Sequence, residues 1–519
     1  MSEKVEAKWK SVIKSRLLIK PPVDSDPRNL SRTMKGIMLV GISLCASTSG
    51  FSSTIYFPGL PDVTVDLHAP SIATTLTAAL FVLAMGITPI FWASASDHFQ
   101  MRRFPLMLSI LIFGASSIGC AFVNNIWALI VLRCVQSVGS SCGQSVGAGS
   151  IADCYPIEQR GTAFGKYFFG VFIGPLLGPI IGGFLIMSPL SWRATFWFCF
   201  AFALAIFGYL FFFFPETYRV NDKFDLQLPV VNNNSSDPNL TITYNNDNSP
   251  SRSSSSTLNQ VTTQQDKIMT QEELNRSKNT INEKTTIAPP TNKRMNPIAP
   301  FLLLRHPFIF LASFISGIAF GCMFAVETML PDLFEQHYGF NAWQTGLSYL
   351  GAGIGNLIGS IVNSMLSDRL LLRARRLRGG QKKCEDRLSE NLWPAGLICI
   401  PLGILLFGWC VSRNLSVWGA IIGFGIQTFG MNQIMTATSA YLVDAMPSNG
   451  ASATAAANFV RMLMACVLTL VVNPLVGAIG PGYTCVLLAA LAYVGNICLV
   501  ILKWKGEALR RWSGFDCSS

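Results

Sequence analysis

The sequence has few charged residues and very few histidines for its length. Lysine, arginine, aspartate and glutamate together make up 13% of the 519 residues, and only four residues are histidine. A soluble globular protein carries about 25% charged residues, so this composition is not typical of one. Half of the residues are hydrophobic and the mean hydropathy is +0.41, which favours a chain that folds in lipid.

The motifs of several other protein classes are also missing. The chain has no GxxxxGK[ST] loop, so it does not hydrolyse ATP through a site of that kind. It has no CxxC motif or histidine–cysteine cluster that would indicate a metal, and no nucleophile–base arrangement that would indicate an enzyme. We therefore expect no cofactor, no metal and no catalysed reaction.

Cysteines are present, fourteen in all, but most of them lie inside apolar segments, as Cys45, Cys134 and Cys322 do. A small core residue is the ordinary role of a cysteine in such a position. No pair lies in the segments that we assign to the outside, so we infer no disulfide framework. The first apolar run begins only at Gly36, which is not typical of a cleavable signal peptide.

The net charge of +11 does not indicate a nucleic-acid partner. The basic residues lie in the tail, one later loop, the linker and the C-terminus, and they are not interleaved with aromatic residues on a soluble domain. This distribution is typical of topology control and of contact with anionic lipids of the inner leaflet. Val5, Trp9, Ile13 and Leu17 recur every four residues among basic ones, so a membrane-bound amphipathic helix and a mobile tail both remain open.

Apolar runs long enough to cross a bilayer, about 20 residues each, recur along the chain. They lie near 36–58, 71–95, 105–123, 126–152, 162–187, 193–214, 308–331, 344–366, 393–412, 416–443, 451–479 and 482–502. The segments that would then lie outside contain a single basic residue, Arg413, whereas 367–392 on the inside contains eight. Because basic loops stay in the cytoplasm, both termini are expected there.

The sequence thus predicts an all-α membrane protein with twelve transmembrane helices in two pseudo-symmetric six-helix bundles. An internal repeat supports the two halves, since Ser96-Asp97 corresponds to Ser367-Asp368, and Asp153 corresponds to Asp444, each of the latter two lying three residues before a proline. The expected domains are a basic cytoplasmic tail, a six-helix bundle, a disordered cytoplasmic linker rich in Asn, Ser and Thr, a second bundle and a short tail. Their ranges are 1–35, 36–215, 216–300, 301–503 and 504–519.

This organisation resembles the major facilitator superfamily, and three stretches resemble the fungal twelve-span drug:proton antiporters of the quinidine-resistance type. The stretches are Ser53–Pro58, Gly174–Gly183, and Trp192-Arg193 with the later Pro215-Glu216-Thr217. The resemblance implies a proton-coupled exporter of drugs and xenobiotics. It covers the chain from about 36 to 503, apart from the linker.

The predicted fifth span carries the antiporter motif that the resemblance identifies. Its residues are Gly170, Gly174, Pro175, Gly178, Pro179, Gly182 and Gly183. Glycines at a spacing of four let a neighbouring helix approach to backbone contact, and the prolines permit a bend. We expect this helix to seal one half against the other while still allowing the halves to rock.

The loop after the second span resembles the family motif Gly-x-x-x-Asp-Arg-x-Gly-Arg-Arg, with both glycines and the first arginine replaced. The resemblance implies that Asp97, Arg102 and Arg103 form a cytoplasmic latch. We place four further charged residues in this latch: Asp153, Asp368, Asp444 and Arg461. Capping of helix ends is the ordinary alternative for Asp153 and Asp444.

Charged residues inside the spans are the candidates for coupling. Arg133 and Gln136 match the family motif Arg-x-x-Gln-Gly-x-Gly, to which the resemblance assigns proton coupling; a structural tie to backbone carbonyls is the alternative. Glu327 is the acid that we expect to gain and lose a proton inside the protein, provided that its helix places it below the interface. Burying such charges is expensive, so each needs a partner or a cavity.

Uncharged polar residues near the pseudo-two-fold axis are candidates for the substrate pathway. They are Ser47, Thr48, Asn356, Gln427, Asn432, Gln433 and Asn458. Hydrogen bonds between helices would explain each of them equally well.

The predicted function is secondary active transport by alternating access, with proton-driven export of small organic molecules. A carrier of carboxylates or other organic anions stays open, because Arg133 and Arg461 outnumber Glu327, and so does a membrane sensor that does not transport. The expected partners are small organic substrates, protons and the lipid bilayer, and the expected state is a monomer in the plasma or the vacuolar membrane.

Overall fold

The computed structural model describes residues 26–219, 298–377, 384–388, 392–446 and 450–514. These ranges belong to one compact unit, Met1–Arg219 with Met295–Ser519. Most of the predicted linker (220–297), residues 1–25 of the predicted tail, and residues 515–519 lie outside the described residues. Within the described ranges the chain is helical throughout, without a strand, as predicted.

The described part of the first half forms eight α-helices. They are α1 (Arg32–Thr54), α2 (Leu60–Asp66), α3 (Ser71–Phe99), α4 (Arg103–Phe122), α5 (Ile126–Ser140), α6 (Cys142–Cys154), α7 (Ile157–Ile186) and α8 (Arg193–Phe213). The second half contains α9 (Ala299–Leu303), α10 (Pro307–Tyr338), α11 (Ala342–Ser348), α12 (Leu350–Leu377), α13 (Ile400–Ser412), α14 (Val417–Ala445) and α15 (Gly450–Trp512). A π-helical turn, Ala395–Cys399, leads into α13.

Local sequence signals set several helix ends. Ser31 caps α1 by accepting a hydrogen bond from the Met34 amide at 3.2 Å, so the helix begins at Arg32, four residues before the predicted start of the first span. Asn341 and Gln344 form a capping box at the start of α11. Gly339 ends α10 in a left-handed conformation, with φ of +63°, which a glycine adopts without strain.

Ten segments among the described residues are long and apolar enough to cross a membrane. The predicted number of twelve therefore remains a prediction. Two features account for the difference. Helix α14, with 29 residues, carries polar residues in its middle and is not one of the ten. The segment Ser452–Trp512 counts once, although its 61 residues would extend about 90 Å, and Gly480 interrupts it with φ of +81°.

Long-range packing joins helices that are far apart in sequence. Helix α1 lies along α7, α10 along α15, and α12 along α14. Helix α3 of the first half packs on α15 of the second, and α7 packs on α11. At these two contacts the first half meets the second, and a transport site between the halves could form beside them.

A buried ion pair ties the segment 384–388 to the end of α15. Arg510 Nη2 donates to both carboxylate oxygens of Glu385, at 2.7 and 2.9 Å, and the two side chains are only 4% and 6% exposed. Lys503 Nζ donates to the main-chain oxygens of Glu385 and Leu388. Helix α15 thus continues to Trp512, beyond residue 503 where the predicted bundle ends.

We expect Glu385→Ala to destabilise the protein far more than Glu507→Ala. The first change removes a buried carboxylate from Arg510, and breaking such a pair costs about 3–5 kcal/mol. The second breaks a pair with Arg511 whose side chains are 63% and 37% exposed, and such a pair contributes about 0.3–0.5 kcal/mol. Thermal unfolding of the two purified variants in detergent measures the difference, and equal shifts in Tm would contradict it.

Cys384 lies in the same segment. This cysteine is disulfide-bonded, whereas the twelve other cysteines of the described residues are free. Its partner therefore lies outside the described residues. Most of the free cysteines are buried in helices, in agreement with a role as small core residues.

Candidate transport site and gates

Arg102 is the centre of a charged cluster at the predicted cytoplasmic end of the first half. Its Nη1 lies 2.8 Å from Oδ1 of Asp97, and its Nε lies 2.9 Å from Oδ2 of Asp153. Burial acts to lower the pKa of Arg102, but the charges of Asp153 and Asp97 outweigh it, so the pKa is raised and the guanidinium stays charged. The cluster ties the end of α3 to the end of α6.

Glu216 completes this cluster and was missed as a site residue. Its carboxylate accepts the amide of Arg102 at 2.8 Å and that of Arg103 at 3.2 Å, which caps the start of α4. The signal was available, because Glu216 lies in the Pro215-Glu216-Thr217 stretch that carries the family resemblance. Arg103 Nη2 itself donates to the main-chain oxygen of Phe211 at 3.1 Å.

The remaining predicted latch residues lie elsewhere. Asp444 pairs with Arg387 at 2.6 Å in the second half, in keeping with the internal repeat. Asp368 lies in α12, but its side chain lies outside the described part of the structure. Arg461 is no part of a charged cluster, because its only hydrogen bond within the described residues is to Asn458, one turn away on α15. Its placement in the latch was wrong.

The glycine row of α7 faces α1 of its own half. A Cβ at Gly174 would lie 2.6 Å from the main-chain oxygen of Ser47, and one at Gly170 would lie 2.6 Å from Ser43 Cβ. Gly178 and Gly182 continue the row against Thr54 and Ile55. This corrects the expectation that the row seals one half against the other, because these four glycines bring α1 and α7 into backbone contact instead.

The contact between the halves is made by a neighbouring face of α7. A Cβ at Gly183 would lie 2.5 Å from the main-chain oxygen of Ala342 and 3.0 Å from Trp343 Cα. Gly346 in turn abuts the main-chain oxygen of Pro179. Pro179 and Gly183 therefore form the contact between the halves, and α11 is the helix of the second half that they contact.

Arg133 is fully buried in a cage of aromatic rings. Its guanidinium carbon lies 4.2, 4.9 and 5.8 Å from the ring centroids of Phe81, Tyr56 and Phe196. Its Nη1 donates to the main-chain oxygen of Ser52 at 3.1 Å and to Gln136 Oε1 at 2.8 Å. The described residues place no carboxylate beside it. The cage and the carbonyl contact favour the structural alternative for Arg133, with cation–π attraction in place of a counter-ion.

Glu327 is a buried carboxylate to which the described residues give no hydrogen bond or ion pair. The residue is 6% exposed, and its Oε2 has no hydrogen bond to the described residues. The hydroxyl of Tyr349 donates to the main-chain oxygen of Glu327 at 2.6 Å, not to its side chain. Phe57 of the first half packs against Tyr349 and Phe324, which places Glu327 close to the contact between the halves.

Most of the predicted pathway residues hold helices together. Asn432 donates to Asn356 at 2.5 Å, and Gln433 donates to the main-chain oxygen of Gly359 at 2.7 Å, so both tie α14 to α12. Thr48 donates to Cys45 and Ser140 main-chain oxygens, and Ser47 to that of Leu44. Gln427 and Asn458 differ: both polar side-chain atoms of Gln427 are buried without a hydrogen-bond partner among the residues that the structure describes, and Asn458 contacts Arg461.

Comparison with known proteins identifies relatives of this chain. The sequence profile of the Major Facilitator Superfamily matches residues 42–469. The MFS antiporter QDR3 of Candida albicans is 28% identical, over 94% of this chain and 80% of its own length. The MFS antiporter QDR2 of the same yeast is 26% identical, over 89% of this chain and 87% of its own length.

Two solved structures share the fold. A bacterial homologue of the human lysosomal transporter Spinster, in an inward-facing and unoccupied conformation, matches with a TM-score of 0.57 and 15% identity, over 92% of this chain and 97% of its own. The human organic anion transporter MFSD10 matches with a TM-score of 0.55 and 15% identity, over 91% of this chain and all of its own. At this identity the likeness concerns the fold alone.

Proposed function

The chain belongs to the major facilitator superfamily, and we propose that it is a proton-coupled secondary active transporter that exports small organic molecules by alternating access. Members of this family carry small molecules across membranes and are not enzymes. The chain is accordingly a multi-pass membrane transporter. Coupling to protons, the direction of transport and the substrate class are the parts of the function that we propose beyond this.

The unpartnered carboxylate of Glu327 is the observation that carries the proposal. A charged carboxylate inside a bilayer-spanning helix is costly, so an acid held there without a cation or donor is stable chiefly when it is protonated. A group that is neutral when closed off and charged when it meets water binds and releases a proton as the transporter cycles. Its place near the Phe57 contact couples that event to the approach of the two halves.

The contacts between the halves support alternating access. On the side predicted to face outward, Gly183 meets Ala342, Phe57 meets Phe324, and Asn473 donates to Thr75 at 3.2 Å. At the opposite end, the described ion pairs of Arg102 with Asp97 and Asp153, and of Arg387 with Asp444, each join residues of the same half. The contacts on the outer side support a state that is closed toward the outside, which is one of the states that alternating access requires.

Direction and substrate class rest on the likeness to the fungal antiporters. The relatives that are named antiporters favour exchange of a substrate against an ion, and the quinidine-resistance resemblance favours drugs and xenobiotics as substrates. The proposal includes cytoplasmic termini, a plasma or vacuolar membrane, contact with anionic inner-leaflet lipids, and a monomer as the working unit.

A flux assay with the purified full-length chain in proteoliposomes tests the proposal. We expect a pH gradient to drive uptake of organic molecules against their own gradient, and addition of substrate to collapse the pH gradient faster than in empty liposomes. The panel should contain cations, neutral compounds and carboxylates, since the class is unknown. Substrate movement at the same rate with and without a pH gradient would overturn proton coupling while leaving transport intact.

A further inference from the structure

Arg461 is a membrane-embedded cation without a counter-ion among the described residues. Its Nη2 donates to Asn458 Oδ1 at 3.2 Å, and its Nε is buried without a hydrogen-bond partner. No acid of the described ranges forms an ion pair with it. Arg133, by contrast, is compensated by three aromatic rings and by main-chain and side-chain oxygens. The two arginines differ in their surroundings: aromatic rings enclose Arg133, whose Nε and Nη2 also lack a hydrogen-bond partner, whereas Arg461 is half-buried and has no such rings around it among the described residues.

The depth of Arg461 rules out an interfacial position. It lies eleven residues along α15 from Gly450, which is about 17 Å, and nineteen residues before Gly480, which is about 28 Å. An arginine side chain of that depth cannot reach the water at either surface by extending along the helix. A charge held at such a depth costs at least about 2.5 kcal/mol, so the fold bears a cost that a purely structural role does not explain.

The side chain is turned away from lipid and toward the contact between the halves. At about 100° per residue, Arg461 lies about 200° around the helix from the exposed Leu463. Met464, on one flank, packs toward Gly317 of α10. Met462, on the other flank, packs against Gly86 of α3, which belongs to the other half. The guanidinium thus lies between a helix of each half, where transporters of this architecture hold their substrates.

We propose that Arg461 and Asn458 bind the anionic group of the transported molecule, so that the substrates are organic anions, carboxylates above all. A guanidinium presents a planar fork of donors that matches a carboxylate in a bidentate arrangement. Asn458 orients the fork through its carbonyl oxygen, and its amide group is a further donor beside the guanidinium. The bound anion supplies the counter-charge that the fold omits, and the loaded carrier closes over a neutral pair.

This inference rests on the proposed transport function for its biological meaning, but the anion site can be tested by binding alone. The probes are 2-naphthoate and its methyl ester, which share a ring system and differ in charge, titrated against the full-length protein in detergent. We expect the wild type to bind the acid at least about tenfold more tightly than the ester, as a charge-assisted bidentate pair allows. Equal affinity for acid and ester in the wild type would overturn the inference.

Variants assign that preference to Arg461. Arg461→Gln should abolish the preference for the acid with little change in ester binding, and Arg461→Lys should retain part of it. Asn458→Asp keeps the arginine but supplies a carboxylate one turn away, so it should also abolish the preference. Arg413→Gln is the matched control, because it removes an exposed arginine at a helix end and should leave the acid preference unchanged. A preference for the acid that survives in both Arg461→Gln and Asn458→Asp would refute the assignment.

Transport of the same pair separates this inference from the proposed function. If the wild type moves both compounds equally and Arg461→Gln changes neither rate, the transport function stands and the anion site falls. If neither compound moves but the acid preference in binding depends on Arg461, the anion site stands and the proposed function falls. Equal unfolding temperatures of the wild type and Asn458→Asp exclude loss of fold as the cause of a lost preference.

Discussion

Replacing Glu327 by glutamine is expected to abolish export driven by a pH gradient while leaving substrate binding intact. Glutamine has nearly the shape of the protonated acid, and the described part of the chain offers the Glu327 side chain no cation or donor that the change would disturb. The variant is therefore held permanently in the neutral state and cannot carry a proton through the cycle. The proteoliposome assay should show no uptake above that of empty liposomes when the pH gradient is the driving force.

Glu335→Gln is the matched control for this change. Glu335 lies two turns further along α10 and is exposed, so the same loss of charge there should leave export unchanged. Wild-type export with the same pH dependence in Glu327→Gln would show that Glu327 is not the proton site. Asp153 would be a weak replacement, since it is already paired with Arg102, and Asp332 on α10 would become the next acid to neutralise.

Replacing Gly178 by leucine is expected to abolish export altogether. A Cβ at this position would lie 3.1 Å from the main-chain oxygen of Phe51 and 3.2 Å from the amide nitrogen of Ile55. It would also clash with the hydroxyl oxygen of Thr54, which is the nearest atom. A leucine side chain therefore has no room between α7 and α1, and the two helices must separate. Because α7 also carries the Gly183 contact with the second half, the separation displaces the seal as well.

Gly165→Leu tests whether the close approach is the cause. Gly165 lies in the same helix, is exposed, and has nothing within 4 Å of the Cβ position, so leucine there should be tolerated. Uptake in proteoliposomes and the amount of protein recovered from the membrane are measured for both variants. We expect Gly178→Leu to be inserted but inactive. Wild-type export in Gly178→Leu would show that backbone contact between α1 and α7 is dispensable.

Local properties of the sequence determined the class of fold and the position of most helices. Runs of about 20 apolar residues, the scarcity of charge and the caps at Ser31 and Asn341 depend on residues that are close in sequence. They can therefore be recognised without knowing which helices pack together. The same is true of the glycine row in α7, whose spacing of four predicted backbone contact with some helix. The number of spans stays a prediction, because α14 is polar in its middle and the last two predicted spans lie in one helix, α15, which is interrupted at Gly480.

The identity of each partner was decided only by the tertiary structure. Spacing predicted that the glycines contact a helix but not that the helix is α1, and it predicted buried arginines but not that Arg133 is caged by rings while Arg461 is left unpaired. Glu216 reaches Arg102 across 114 residues, and Arg510 reaches Glu385 across 125. Periodicity along one helix fixes which residues share a face, whereas the neighbour of that face depends on how distant helices pack, and no local pattern records that choice.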